Sequence, residues 1–263
     1  MAAYELNLAT LSALLDAHSS HEILFLMVSA LVAGLARGFS GFGGALIFMP
    51  LASSVIDPKL AAAVLFLIDA VMALPMIPDA YRRADRREVG VMLAGALIGV
   101  PLGTAVLAYA DALTVRWSIV ILVSLLLALL VSGWRYHGRP SLPMTTGVGA
   151  LSGLFAGAAQ VGGPPVVAYW LGGRIAAAVV RANLVLYFGL GSVITGVNYS
   201  LAGLIAIPAM ALALVVGPAF GLGLMTGSRL FGHADDRTFR HICYGLIGAA
   251  AIIGLPLLDP LLR

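Results

Sequence analysis

Two side chains carry charge in the midst of apolar stretches, where hydrocarbon penalises an ionised group and makes it a functional candidate by default. Arg37 lies in GLARGFSGFGGALIFMP, from Gly34 to Pro50, and Asp69 lies in VLFLIDAVMALP. A guanidinium stays charged and presents a fork of donors suited to an anion. A carboxylate at such a place is a candidate proton carrier. The plainer readings are that Arg37 snorkels or pairs with Asp69, and that Asp69 is a static partner; at the level of sequence both readings stay open.

Around Arg37 the chain is unusually rich in glycine, and a second stretch, GLFAGAAQVGGPPVVAYWL from Gly153 to Leu171, has the same character. Non-helical backbone at membrane depth is tolerated only where protein or a water-filled cavity satisfies its amides. A helix that restarts after such a break presents N–H groups and a positive dipole end, both suited to an anion. Proline fits the first turn of that helix, as at Pro164 and Pro165. The expected anion site therefore comprises Arg37, Ser40, Gly41, Gly43 and Gly44 from the first break. Gln160, Gly162, Gly163, Pro164 and Tyr169 come from the second. Tyr187, Asn183 and Asn198 are further uncharged candidates for the same cavity. Small residues at four-residue spacing also let helices pack closely, which is the expectation for Gly95, Gly99 and Gly103 and for Gly217 and Gly221.

The elements that must position these residues form a repeat. Shifting the chain by 119 places Gly34, Gly38, Gly43 and Gly44 on Gly153, Gly157, Gly162 and Gly163. At a slightly larger offset, Thr114 and Arg116 fall on Thr238 and Arg240. Each half opens with a glycine-broken segment, Ile23 to Ala52 and Met144 to Leu171, followed by three apolar stretches. These run over about 60–80, 89–109 and 117–134, then 183–199, 204–226 and 241–258, each near the roughly 20 residues that span a bilayer. Trp117 and Trp134 bracket one of them as interfacial aromatics do. The expected fold is an all-α polytopic membrane protein of two homologous, inverted repeats. Residues 1–22 form a tail, 23–139 the first repeat and 140–263 the second, together one transmembrane domain.

Arginine sets the orientation. Four arginines lie between Arg82 and Glu88, and others follow at Arg135, Arg139, Arg174, Arg181, Arg229, Arg237 and Arg240. The gaps near Asp57, Asp111 and Ser200 are poor in cations. If the glycine-broken segments dip in and return, all basic gaps become cytoplasmic and the halves become inverted copies. That architecture places a substrate site at the midplane, where the breaks meet.

Composition narrows the alternatives. Hydrophobic residues make up 61% of the 263 positions and charged residues 10%, far below the roughly 25% charged of soluble domains. The mean hydropathy is +1.03. The formal charge of +3 follows from the arginine clusters and does not indicate nucleic-acid binding. Cys243 is the only cysteine, and the five histidines, His18, His21, His137, His233 and His241, lack metal-ligand spacing. No metal and no cofactor are expected.

The paired motifs GFSGFGG and GAAQVGGPPVVAYWL, with YRR at Tyr81 to Arg83 and a glycine-rich third span in each half, resemble the TauE/SafE family of sulfite exporters and related anion permeases. The resemblance covers nearly the whole chain. It implies a secondary transporter, not an enzyme, that moves sulfite, a sulfonate or a related organosulfur anion across a bacterial inner membrane. Its partners would be that anion, the lipid bilayer, a proton or sodium ion as coupling ion, and a second copy of the chain as a candidate homodimer. Ala159 and Gln160 depart from the first repeat, which has Ser40 and Gly41 there. Two other classes compete. One is a membrane assembly subunit without a substrate. The other is an intramembrane serine protease using Ser40, since Gly38-Phe39-Ser40-Gly41 matches GxSG; such a nucleophile needs a base within reach, and the nearest candidate, His241, begins the final span beside Arg240.

Overall fold

The computed structural model describes residues 19–136, 138, 141–172, 177–230 and 236–262, and every regular element among them is helical. In chain order these are α1 (Ser20–Ser40), α2 (Gly44–Val55), α3 (Pro58–Ala73), α4 (Ile77–Arg83) and α5 (Arg86–Tyr109). They continue with α6 (Ala112–Ser132), α7 (Leu142–Ala159), α8 (Gly163–Gly172), α9 (Ala177–Leu201), α10 (Ile207–Leu230), α11 (Asp236–Ile253) and α12 (Asp259–Leu262). Seven helical stretches among the described residues are long and apolar enough to cross a membrane. Residues 1–18 of the expected tail, and Arg139, Arg174, His137 and His233, lie outside the described residues, as do the side chains of Arg237 and Arg240.

Polar caps fix where the helices begin. Ser19 and Glu22 form a reciprocal capping box, each accepting the other's backbone N–H at 3.2 and 3.0 Å, so α1 starts a turn before the apolar run at Ile23. Asp57, Asp85 and Asp111 cap α3, α5 and α6, each carboxylate accepting backbone N–H groups of the first turn. In α3, α5 and α6 apolar sequence sets the extent and aspartate the first residue.

At both glycine-rich stretches the chain reverses. A Cβ placed on Gly44 would stand 2.9 Å from the Ala33 carbonyl, and one on Gly162 would stand 2.5 Å from the Ser152 carbonyl. These partners precede by 11 and 10 positions, roughly 15 Å along an unbroken helix. The return arms α2 and α8 have 12 and 10 residues, long enough to cross only about half of a 30 Å hydrocarbon core.

The two halves pack by exchange. The opening helix of each lies against the glycine-rich span of the other, α1 on α10 and α7 on α5. A Cβ on Gly34 or Gly38 would stand 2.1 or 2.2 Å from the carbonyls of Phe220 and Leu224, and one on Gly95, Gly99 or Gly103 about as close to those of Thr146, Ala150 and Leu154. Numbers rise together along both seams, so each pair runs parallel. Glycine is required here because two backbones touch. The expectation is met at Gly95, Gly99 and Gly103. On α10, however, the seam is made by Gly223 and Gly227, whose Cβ atoms would meet the Leu31 and Leu35 carbonyls, whereas Gly217 and Gly221 face only the side chains of Ile68 and Met72.

Long-range polar contacts show which loops share a face. Lys59 Nζ donates to the Ala108 carbonyl at 2.8 Å, and Arg116 forms a forked pair with Asp259 at 2.6 and 2.7 Å. These tie the starts of α3 and α6 to the ends of α5 and the chain. On the other face the Asp85 N–H donates to Asn183 at 2.7 Å, and the Thr145 hydroxyl meets Glu88 at 3.3 Å. Arg82, Arg83, Arg86, Arg87 and Arg181 belong to this second face.

Candidate functional site

The breaks are held by different means. In the first, Gly41 (φ 77°) caps α1 and donates to the Arg37 carbonyl, and Gly43 (φ 93°) precedes α2 with no side-chain cap. Both lie in the left-handed region, which glycine enters without steric cost. The Ser40 hydroxyl donates to the Ala36 carbonyl at 2.7 Å and lies against that of Phe42. In the second break Gln160 (φ 60°) occupies the left-handed position, and among the described residues it alone does so without being glycine. Its amide donates to the Ala156 carbonyl and to the Tyr199 hydroxyl, both at 3.1 Å. Tyr199 donates to Gly157 at 2.9 Å. Ser152 donates to the Gly162 carbonyl at 2.7 Å and accepts from Tyr187 at 3.0 Å.

Between the breaks lies a cavity of about 60 Å³, several times the roughly 10–15 Å³ that admits a water. Phe42 of the first break touches the position a Cβ on Gly163 would take, at 3.3 Å, so the two breaks converge. The helices that complete the wall contribute from their middles: Leu65 and Asp69 on α3, Ala96 and Val100 on α5, Gly191 and Thr195 on α9, and Phe220 on α10. A cavity walled by interior turns of four such helices lies between the two faces, at midspan. Its charged residues are Arg37 and Asp69, joined by an ion pair from Nε to Oδ1 and 18% and 23% exposed. Arg37 also reaches the Gly41 carbonyl at 3.4 Å.

Of the expected site residues, Arg37, Gly43, Gln160, Gly163 and Pro164 line this cavity, with Asp69 and Tyr187 beside them. Ser40 and Gly41 face a separate cavity of about 370 Å³. Gly44 and Gly162 are instead packed against the backbone of α1 and α7. Tyr169 bonds Thr145 at 2.6 Å and stacks on Tyr136; Asn183 accepts from Asp85, and Asn198 donates to Ile194 in its own helix. Ser192 and Thr195 were missed, because a hydroxyl in an apolar helix usually bonds its own preceding turn, as Ser192 does to Phe188 at 2.8 Å. Their spacing of three on the face that carries Phe188 was the available signal.

The two helix starts are unequal as anion ligands. The α2 terminus presents Gly43 and Ala45 to the cavity, and an uncapped first turn leaves N–H groups directed outward. At α8 Pro164 and Pro165 have no N–H, so that start offers fewer donors. Ser40 bonds only backbone groups among the described hydrogen bonds, and no metal-binding cluster of His, Cys, Asp or Glu occurs among the described residues.

Residues 26–253 match a family model described as Sulfite exporter TauE/SafE. No curated protein and no solved structure matches the chain.

Proposed function

Because the chain belongs to the TauE/SafE sulfite exporter family, a family of multi-pass membrane transporters, we propose that it carries a small anion, sulfite or a sulfonate or related organosulfur anion, through the midspan cavity by alternating access. The observation that carries this reading is the meeting of two helix breaks around one guanidinium at midspan. An anion there gains the Arg37 fork and the α2 N–H groups together. The halves are read as inverted copies in a bacterial inner membrane, with the face bearing Arg82–Arg87 and Arg181 cytoplasmic. This is supported by the parallel exchange pairs, since α1 and α7 must then run in opposite directions. The chain is read as functioning alone or as a homodimer.

The ion pair suggests the coupling step. An anion that takes Arg37 deprives Asp69 of its counter-charge, and a bare carboxylate at midspan is costly. Asp69 then binds a proton, so anion and proton move together; when the anion leaves, the pair reforms and the proton is released. Proteoliposome flux of sulfite, sulfonates, sulfoacetate and short carboxylates tests the substrate class, and flux of none of them would refute transport. Asp69→Asn is expected to flatten the pH dependence of flux in folded protein. An unchanged profile would reduce Asp69 to a structural partner.

A further inference from the structure

Three further cavities lie on the basic face, and one charged side chain, Arg181, belongs to all of them. A cavity of about 280 Å³ shares Arg37, Asp69 and Phe188 with the midspan cavity and extends to Arg181 and Val185. Beyond it, a cavity of about 580 Å³ is bounded by Arg181, Val185, Asp79 and Arg83. The third, of about 370 Å³, joins Arg181 and Arg135 to Gly43 of the first break. Arg181 thus stands where the routes to Arg37 converge. Arg83 pairs with Asp79 at 3.0 Å. Arg181 is exposed on the first turns of α9, at the edge of all three cavities. On the opposite side of the midspan cavity, buried Tyr199 bonds Gln160 and Gly157 and packs edge-on against Phe66 at 5.5 Å.

We propose that Arg181 is an anion-capture station, a second binding position that draws small oxyanions from the basic face and passes them by Phe188 to Arg37. Around these cavities Arg37, Arg83, Arg135 and Arg181 outnumber Asp69 and Asp79, and net positive charge beside low-dielectric walls concentrates anions and raises their encounter rate. The inference rests on the transport reading and adds a site to it. Arg181 does not hold the anion at midspan, so its loss slows arrival without changing turnover at saturation. The same guanidinium chemistry suits an anionic lipid headgroup, and the test separates the two sources.

The experiment measures exchange of radiolabelled sulfite at equal concentrations on both sides of proteoliposomes, over a range of ionic strength, in phosphatidylcholine alone and with added phosphatidylglycerol. Arg181→Gln is expected to lower kcat/KM about fivefold to tenfold at low salt and to flatten its salt dependence, with kcat and Tm unchanged. Arg181→Lys should keep most of the wild-type rate. Equal kcat/KM in wild type and Arg181→Gln overturns the station. A defect confined to vesicles with phosphatidylglycerol assigns Arg181 to a lipid headgroup, and a joint fall of kcat and Tm makes it structural; either result also overturns the proposal. A wild type that exchanges no anion sinks the transport reading and the station together, whereas an active wild type with an indifferent Arg181→Gln sinks only the station.

Discussion

The two glycine-rich breaks perform the same reversal with opposite chemistry. Around Gly41 the turn is made by glycines and carries a charge whose partner, Asp69, comes from another helix. Around Gln160 the turn is uncharged and bolted to α9 by Tyr199 and Tyr187. A duplicated backbone geometry therefore does not duplicate chemistry: in the proposed transport cycle one break answers the charge of the anion, and the other holds the wall of its cavity. Sequence repetition conserves the places where the chain must turn, while the side chains at each turn are free to diverge.

The sharpest way to break this comparison separates glycines of the seams from glycines of the breaks. Gly99→Leu puts a side chain where a Cβ already lies 1.9 Å from the Ala150 carbonyl. Helix backbones cannot yield that distance, so no folded protein should be recovered, an effect beyond about 5 kcal/mol. Gly163→Leu meets chiefly the Phe42 side chain, and should keep most of the thermal stability while abolishing anion binding. If both variants lost stability alike, the second break would be a packing device only.

A smaller effect is expected at the ion pair. Arg37→Ala removes a charge-assisted bond to the anion and should weaken binding by something on the order of 1.5 to 3 kcal/mol. It also strands Asp69, at a cost of about 3 kcal/mol, the low end for a buried pair because the two side chains keep 18% and 23% of their surface exposed. Calorimetric titration with sulfite, beside melting curves, reads both. Replacing both residues by leucine should restore the melting temperature but not the affinity. Wild-type affinity in that double variant would remove Arg37 from the site.

Much of this was legible in the sequence, for reasons that differ by residue. The spans over 60–80, 89–109, 117–134, 183–199 and 204–226 followed from apolar length, whereas the stretch expected over 241–258 ends as a helix at Ile253 and is shorter than the others. Arg37 and Asp69 stood out because charge inside such spans is rare. The glycine offset of 119 located both reversals. It did not show that Gly34, Gly38, Gly153 and Gly157 serve helix seams while Gly43 and Gly163 face a cavity, since glycine looks the same whether a backbone or a void lies opposite. Tyr169 was placed by proximity to the second break, yet α8 carries it about two turns away toward Thr145. Thr195 went unnoticed because its spacing from Ser192 marks a shared helix face but not which helix packs opposite it.

The smallest expected effects test the turns themselves. Gly41 has φ 77°, and a Cβ there would meet nothing within 4 Å, so Gly41→Ala should cost only the left-handed backbone penalty of about 1 kcal/mol. Gln160 already bears that penalty at φ 60°. Gln160→Gly should recover about 1 kcal/mol of it and lose the amide bond to Tyr199, worth about 0.5–1.5 kcal/mol net, leaving stability nearly unchanged. The balance can be tipped by removing the partner first. In a Tyr199→Phe background Gln160 keeps only its Ala156 bond, so Gln160→Gly should there be more favourable than in the wild type by the worth of the Tyr199 bond. Melting temperatures of the four proteins in that cycle measure the coupling directly. If Gln160→Gly were equally neutral in both backgrounds, the Tyr199 bond would contribute nothing to holding the turn, and the contrast between a bolted break and a charged one would rest on Arg37 and Asp69 alone.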